Sequence, residues 1–226
     1  MNTSRWLILF LLTLTINILG IYLMDEWLER ISKPLLIVIL IIYFLSETKS
    51  FGSSLKKWIV GALFFSWLGD MLLMFQEKDA VLFLLGLSVF LVAHMFYILF
   101  FHRVKVKENV QARWWLVVII VIYYTALINL LYPRLGDMKI PVPVYGIVIS
   151  FMLLLALHML FMKNRKAGQL LTAGAVLFVL SDSVLAINKF YQPVEYAGIV
   201  IMLTYGLAQL FIVKGAASYI ISDDKK

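Results

Sequence analysis

The chain has 226 residues, 63% of them hydrophobic and only 15% charged, with a formal net charge of +7 and no cysteine. A soluble domain could not hide so much apolar surface, which falls in blocks of about 20 residues rather than in amphipathic stripes. The absence of cysteine excludes a disulfide framework and a thiolate site. Backbone polar groups in hydrocarbon must be satisfied within each segment, and the runs lack the polar alternation of barrel strands, so an all-α polytopic membrane bundle is predicted.

Eight transmembrane spans follow in chain order, over 6–24, 31–46, 58–75, 80–101, 114–132, 140–162, 169–188 and 194–213. The first is preceded by one Arg and ends in Met24-Asp25-Glu26-Trp27, without a small-residue cleavage site, so it reads as a retained helix and not as a signal peptide. Short connections such as Gln76-Glu77-Lys78-Asp79 make neighbouring helices antiparallel and leave no loop for a soluble domain, so 1–226 is read as a single transmembrane domain.

Orientation follows from the Lys and Arg count. Arg5, Lys49, Lys56, Lys57, Arg103, Lys105, Lys107, Arg113, Lys163, Arg165, Lys166, Lys214, Lys225 and Lys226 lie on one side, fourteen against the six of the other: Arg30, Lys33, Lys78, Arg134, Lys139 and Lys189. The richer side, with both termini, is expected in the cytoplasm of a plasma (inner) membrane protein. Topology and anionic membrane lipid then account for the positive charge without nucleic acid. The oligomeric state leaves no mark in the sequence.

A gap-free shift of 112 residues lays Asn17 on Asn129, Leu68-Gly69-Asp70 on Leu180-Ser181-Asp182, Leu73 on Leu185 and Gly86 on Gly198. Polar residues are scarce inside the spans, so an Asn pair and an Asp pair in one register point to an internal repeat with halves of about 1–110 and 111–226. An even number of crossings separates equivalent helices, which makes this two parallel four-helix repeats about an axis along the membrane normal. Asp70 and Asp182 would then sit at similar depth on opposite sides of that axis. The helical rise places them about 18 and 20 Å from the cytoplasmic ends of helices 3 and 7, near the midplane or slightly outside it.

An ionised Asp at the bilayer centre costs about 2.5 to 3.5 kcal/mol on insertion scales, so an acid retained there faces the interior. The pair reads either as catalytic or as interhelical hydrogen-bond glue. Lys33, before Pro34, opens helix 2 from the outer side and can snorkel outward or reach a carboxylate; the repeat lays it on Tyr145. A cation on one side and a phenol on the other would let two related acids hold their protons unequally. Helix 4 carries Gly86, Phe90, His94, Tyr97 and Phe101 on one face, and helix 8 answers with Gly198, Met202, Tyr205 and Gln209, either as plain packing or as the wall of an acyl-chain pocket. His94 is a candidate proton donor or headgroup ligand, or a packed core histidine. The only histidines are His94, His102 and His158, without His-Glu-x-x-His spacing, so no metal site is expected. The nucleophile elbow, the Walker loop and the dinucleotide fingerprint are absent as well.

Lys33-Pro34, Gly69-Asp70-Met71-Leu72-Leu73, and Gly86 with Phe90, His94 and Tyr97 resemble the YhhN family, which includes the lysoplasmalogenases. So do Pro143-Val144-Tyr145, Gly174 through Phe178 to Ser181-Asp182, Phe190, and Tyr205 with Ala208-Gln209. The resemblance runs in order over nearly the whole chain. It implies an eight-helix membrane protein that hydrolyses the vinyl ether of a lysophospholipid substrate, the lysoplasmalogen, to a fatty aldehyde and glycerophosphoethanolamine or glycerophosphocholine, without a metal or other cofactor.

Chemistry assigns the roles. A vinyl ether hydrolyses by protonation of its β-carbon to an oxocarbenium ion that water captures, and glycoside hydrolysis handles a related cation with one carboxylic acid and one carboxylate. Asp182 is expected to be the acid and Asp70 the carboxylate, kept ionised by Lys33. Lys33, His94, Tyr97, Tyr145, Ser181, Tyr205 and Gln209 are expected to surround the substrate. A small-solute or proton-coupled transporter using the same Asp pair is the competing reading. It requires a polar pathway open in turn to both faces, whereas a lipid hydrolase needs a pocket with an apolar branch.

Overall fold

A computed structural model describes residues 3–76 and 80–224. The expected Glu77-Lys78-Asp79 connection, and Lys225 and Lys226 of the charge count, lie outside the described residues. Among the described residues there are eight α-helices: α1 (Thr3–Leu23), α2 (Glu26–Glu47), α3 (Lys56–Leu73), α4 (Ala80–Lys107), α5 (Trp114–Leu131), α6 (Pro141–His158), α7 (Arg165–Ala186) and α8 (Ala197–Asp223). A π turn, Ile187–Tyr191, continues α7, and no strand occurs among the described residues.

Six of these helices, all but α2 and α3, are long and apolar enough to cross a membrane, and the chain is an integral membrane protein. α2 carries Glu29, Arg30 and Lys33, and α3 carries Lys56, Lys57 and Asp70, which lowers their apolar character despite lengths of 22 and 18 residues. Both nevertheless bury one face in the bundle, α2 through Leu36, Ile37, Leu40 and Phe44, and α3 through Ile59, Ala62, Leu63 and Ser66.

Local chemistry sets the helix ends. Asp25 caps α2, its carboxylate accepting from the Trp27 and Leu28 amides at 2.9 and 3.2 Å, so the helix starts five residues before the expected 31. Pro34 inside α2 removes one donor to the helix ladder near that end. α4 and α8 run past their apolar stretches to Lys107 and Asp223; at 28 and 27 residues they span about 40 Å, more than the roughly 30 Å of a hydrocarbon core. The protruding ends are joined by Lys107 Nζ to Asp223 Oδ2 at 2.5 Å, with Asn164 Nδ2 donating to Ser222 Oγ at 2.9 Å beside them.

Packing is densest in the hairpins α7–α8, α3–α4 and α1–α2, and α4 also lies on α6 while α8 lies on α1 and α2. Close approach of α7 and α8 depends on Gly174, where a Cβ would stand 2.8 Å from the Ala208 carbonyl oxygen and 2.8 Å from the Ile212 nitrogen. α5 is the loosest member, with only Leu116, Ile120 and Leu131 buried. Asn17 is buried, donating to Ser32 Oγ at 2.8 Å, whereas Asn129 is exposed, so these two shift-related residues have different surroundings.

Overpacking at Gly174 has no soft side chain to absorb it. Gly174→Ala is expected to destabilise the bundle by about 1–3 kcal/mol, read as a lowered melting temperature in detergent. Gly52→Ala, where nothing lies within 4 Å of the new methyl, should not lower it.

Candidate active site

Asp70 is three residues from the end of α3 and Asp182 four from the end of α7, so both lie towards the end of the bundle that carries the α1–α2, α3–α4, α5–α6 and α7–α8 connections. A cavity of about 360 Å³ opens there, and both carboxyls line it. Its other walls are mainly apolar, from Leu73, Leu87, Phe90, Val142, Ile201 and Met202 among others. The π turn contributes Asn188 and Phe190; a wide turn of this kind, directly after a helix that carries a half-buried acid, is a frequent companion of functional sites.

Each acid is held by a tyrosine from another helix. Tyr205 of α8 donates to Asp70 Oδ2 at 2.7 Å, and Tyr145 of α6 donates to Asp182 Oδ2. The tyrosine on Asp70 is itself braced: Gln209 Nε2 donates to Tyr205 Oη at 3.3 Å, and Tyr97 of α4 donates to Gln209 Oε1 at 2.5 Å. This chain links α4 and α8 to the acid of α3. Lys33 is half-buried, lines the same cavity and lies within the electrostatic reach of Asp70 without forming an ion pair to it among the described residues.

The expected site residues therefore divide into two groups. Lys33, Tyr145, Ser181 and Tyr205 join the two acids on the cavity wall. Ser181, however, spends its hydroxyl on the Ile201 carbonyl at 3.0 Å, a contact that binds α7 to α8. His94, Tyr97 and Gln209 lie behind the wall, fully buried. The His94 ring is boxed edge-on by Tyr145 and Phe178, at centroid distances of 5.3 and 4.9 Å, and neither ring nitrogen makes a regular hydrogen bond among the described residues. Phe178, Tyr97, Phe100 and Phe101, all fully buried, fill the bundle beyond it.

The other histidines are elsewhere. His102 is exposed, and His158 Nε2 accepts from the Arg113 amide at 3.1 Å, tying the α4–α5 connection to α6.

Two residues near the acids were not singled out from sequence. Glu29 lines the cavity one helical turn before Lys33, on the same face of α2. Tyr123 of α5 shares a 2.7 Å hydrogen bond with Ser183, the neighbour of Asp182. The i, i+4 spacing of Glu29 and Lys33 was visible in the sequence; the Tyr123 contact, across 60 residues, had no local signal.

The sequence profile of the YhhN family matches residues 28–216, an interval that holds both acids and their partners. The chain belongs to the YhhN family. It is similar to lysoplasmalogenase TMEM86B of Rattus norvegicus, 31% identical over 219 residues that cover 95% of this chain and 85% of that protein. Lysoplasmalogenase TMEM86A of Homo sapiens is 32% identical, over 84% of this chain and 79% of its own length. A lysoplasmalogenase of Mycobacterium tuberculosis is 30% identical, over 71% of this chain and 60% of its own. No solved structure matches the chain. For this YhhN member the geometry brings three carboxyls, two phenols and one ammonium to a single largely apolar cavity, groups suited to moving a proton beside an aliphatic ligand.

The absence of cysteine makes the cavity testable by single-cysteine labelling. Ala186→Cys, on the cavity wall, should react with a small water-soluble thiol reagent. Ala93→Cys, fully buried beside His94, should stay unlabelled until the protein is unfolded.

Proposed function

We propose that this protein is a membrane lysoplasmalogenase, hydrolysing the vinyl ether of a lysoplasmalogen to a fatty aldehyde and glycerophosphoethanolamine or glycerophosphocholine. The observation that carries the reading is the meeting of Asp70 and Asp182 in one cavity with a mainly apolar wall. The relatives named lysoplasmalogenase support the substrate class.

Asp182, as the carboxylic acid, gives its proton to the β-carbon of the vinyl ether, while Tyr145 holds the oxygen that does not transfer it. The oxocarbenium ion that results is stabilised by the Asp70 carboxylate. Asp70 is assigned the negative charge, with the Lys33 ammonium on the wall of the same cavity. Asp70 also orients the water that adds to the cation and takes up its released proton. The hemiacetal then collapses: Asp182 takes back a proton from its hydroxyl as the C–O bond to glycerol breaks, and Asp70 gives the proton it took from water to the leaving glycerol oxygen. No net proton is consumed, and the two acids end as they began.

The transporter reading finds less support. Below the acids the path is filled by Phe178, Tyr97, Phe100 and Phe101, so the described cavity reaches the Asp pair from one end of the bundle only.

In the same reading all eight helices cross the membrane, α2 and α3 shielded by their neighbours. Both termini are cytoplasmic in the plasma (inner) membrane, and the cavity faces outward. The two halves are parallel repeats forming one domain; in support, α4 lies on α6 as α8 lies on α2, and Asp70 and Asp182 occupy matching places near the ends of α3 and α7.

Asp70→Asn and Asp182→Asn preserve shape while removing the ionisable group. Each variant is expected to insert and fold and to lose about 10²- to 10⁴-fold in turnover of a lysoplasmalogen. Chelators should leave wild-type turnover unchanged. Wild-type rates in both variants would refute the assigned roles.

Reporter fusions supply the topology test. A fusion in the loop between Lys107 and Arg113 is expected to read as cytoplasmic, and an extracytoplasmic signal there would overturn the orientation.

A further inference from the structure

Asp182 lines a second, smaller space as well as the main cavity. Between α5, α6 and the end of α7 lies a slot of about 40 Å³ that shares Val142, Tyr145, Asp182 and Ala186 with that cavity. The rest of its wall is chiefly aliphatic and aromatic, from Leu127, Ile128, Leu131 and Ile149 among others, and Asp182 is the only acidic or basic side chain on it among the described residues. Along α6 the lining runs from Val142, at the mouth end, to Ser150, about 12 Å deeper. The buried Ser150 hydroxyl has no hydrogen-bond partner among the described residues.

We propose that this slot takes the aliphatic chain of the substrate, entering sideways from the bilayer between α5 and α6, and that Gly146 and Tyr124 are the residues that admit it. The inference rests on the lysoplasmalogenase reading and adds to it where the chain lies and which residues select it.

The vinyl ether divides a lysoplasmalogen into a polar and an apolar half, so the acid that protonates it must stand where two differently lined spaces meet. Asp182 stands at such a junction. The main cavity opens at the end of the bundle past Glu29, Lys33, Gln76 and Asn188, whereas the slot leads along α5 and α6 towards the depth of the bundle, as a lipid tail runs. The helix on its outer side is the loosest one, α5, which packs mainly on α6 and the π turn. Gly146 of α6 leaves the space: a Cβ there would stand 3.0 Å from the Tyr124 ring and 3.8 Å from the Ile128 side chain. A volume of 40 Å³ holds about one water molecule, so a chain enters as the Tyr124 ring swings off Gly146. Little opposes that movement. Tyr124 is half-buried, its hydroxyl makes one long bond of 3.3 Å to the Pro143 carbonyl, and Val121, one turn along α5, is exposed. The 2.7 Å hydrogen bond of Tyr123 with Ser183 anchors α5 to α7 meanwhile.

Photolabelling of the purified protein in detergent tests this. The probe is a non-cleavable 1-O-hexadecyl glycerophosphoethanolamine with a diazirine in the middle of its chain, added with and without an excess of the same lipid lacking the diazirine. Label that the excess removes is expected on slot residues of α5 and α6 such as Tyr124, Ile128 and Ile149. Gly146→Leu, which fills the slot, should lower it about tenfold, equivalent to about two buried methylenes, while Gly146→Ala should keep most of it. Ile128→Trp narrows the slot from α5 and should act in the same direction, so the test survives if Gly146→Leu fails to fold.

Competed label confined to the main cavity at Ile21, Ile201 or Met202, label that no excess removes, or label unchanged in the filled variants would overturn the slot. The catalytic reading fails differently: the alkenyl counterpart of the probe would label the slot and remain uncleaved.

Discussion

Two carboxyl groups held inside an apolar bundle are the constraint around which the rest is arranged. Charges in hydrocarbon are costly unless paired and hydrogen-bonded, and replacing such groups with apolar ones of similar size is often neutral or stabilising. Asp70 and Asp182 therefore each need a donor, and each receives one from a different helix, Tyr205 of α8 and Tyr145 of α6. Those two contacts require α3 to be in register with α8 and α6 with α7. The small residues of α7 and α8, Gly174 above all, make the close approach of these helices sterically feasible. Stability alone would be served by leaving the acids out, so their retention beside a cavity favours the chemistry proposed for them.

That chemistry depends on the two acids being related but not identical. Both accept from a tyrosine, yet among the described residues it is the Asp70 tyrosine that is braced by Gln209 and Tyr97. One carboxyl can then remain an anion while the other carries a proton, as an oxocarbenium mechanism requires.

Much of this architecture is legible in the sequence, because hydrocarbon imposes a simple length rule on apolar helices. The rule works for the centres of the helices and fails at their ends. Counting apolar runs stops at Arg103 or Lys214, but a helix that leaves the membrane need not stop, and α4 and α8 continue until Lys107 meets Asp223. Conversely, Asp25 starts α2 earlier than hydropathy suggests, by capping. The 112-residue shift lays Lys33 on Tyr145, and both stand on the cavity wall, Tyr145 in direct contact with its acid. The shift also pairs Asn17 with Asn129, which are buried and exposed respectively, since α5 packs far less tightly than α1. What no periodicity could supply is the pairing across helices: Tyr205 with Asp70 over 135 residues, Tyr123 with Ser183 over 60, and the seclusion of His94 behind Phe178.

The central claim is that a fixed carboxyl delivers a proton to carbon. Turnover of a lysoplasmalogen in D₂O, with the aldehyde trapped before it enolises, tests it most directly. The geometry predicts one deuterium on the aldehyde α-carbon, with a single handedness, because the acid approaches one face of the double bond. A racemic label, or product formed without deuterium at that carbon, would contradict it.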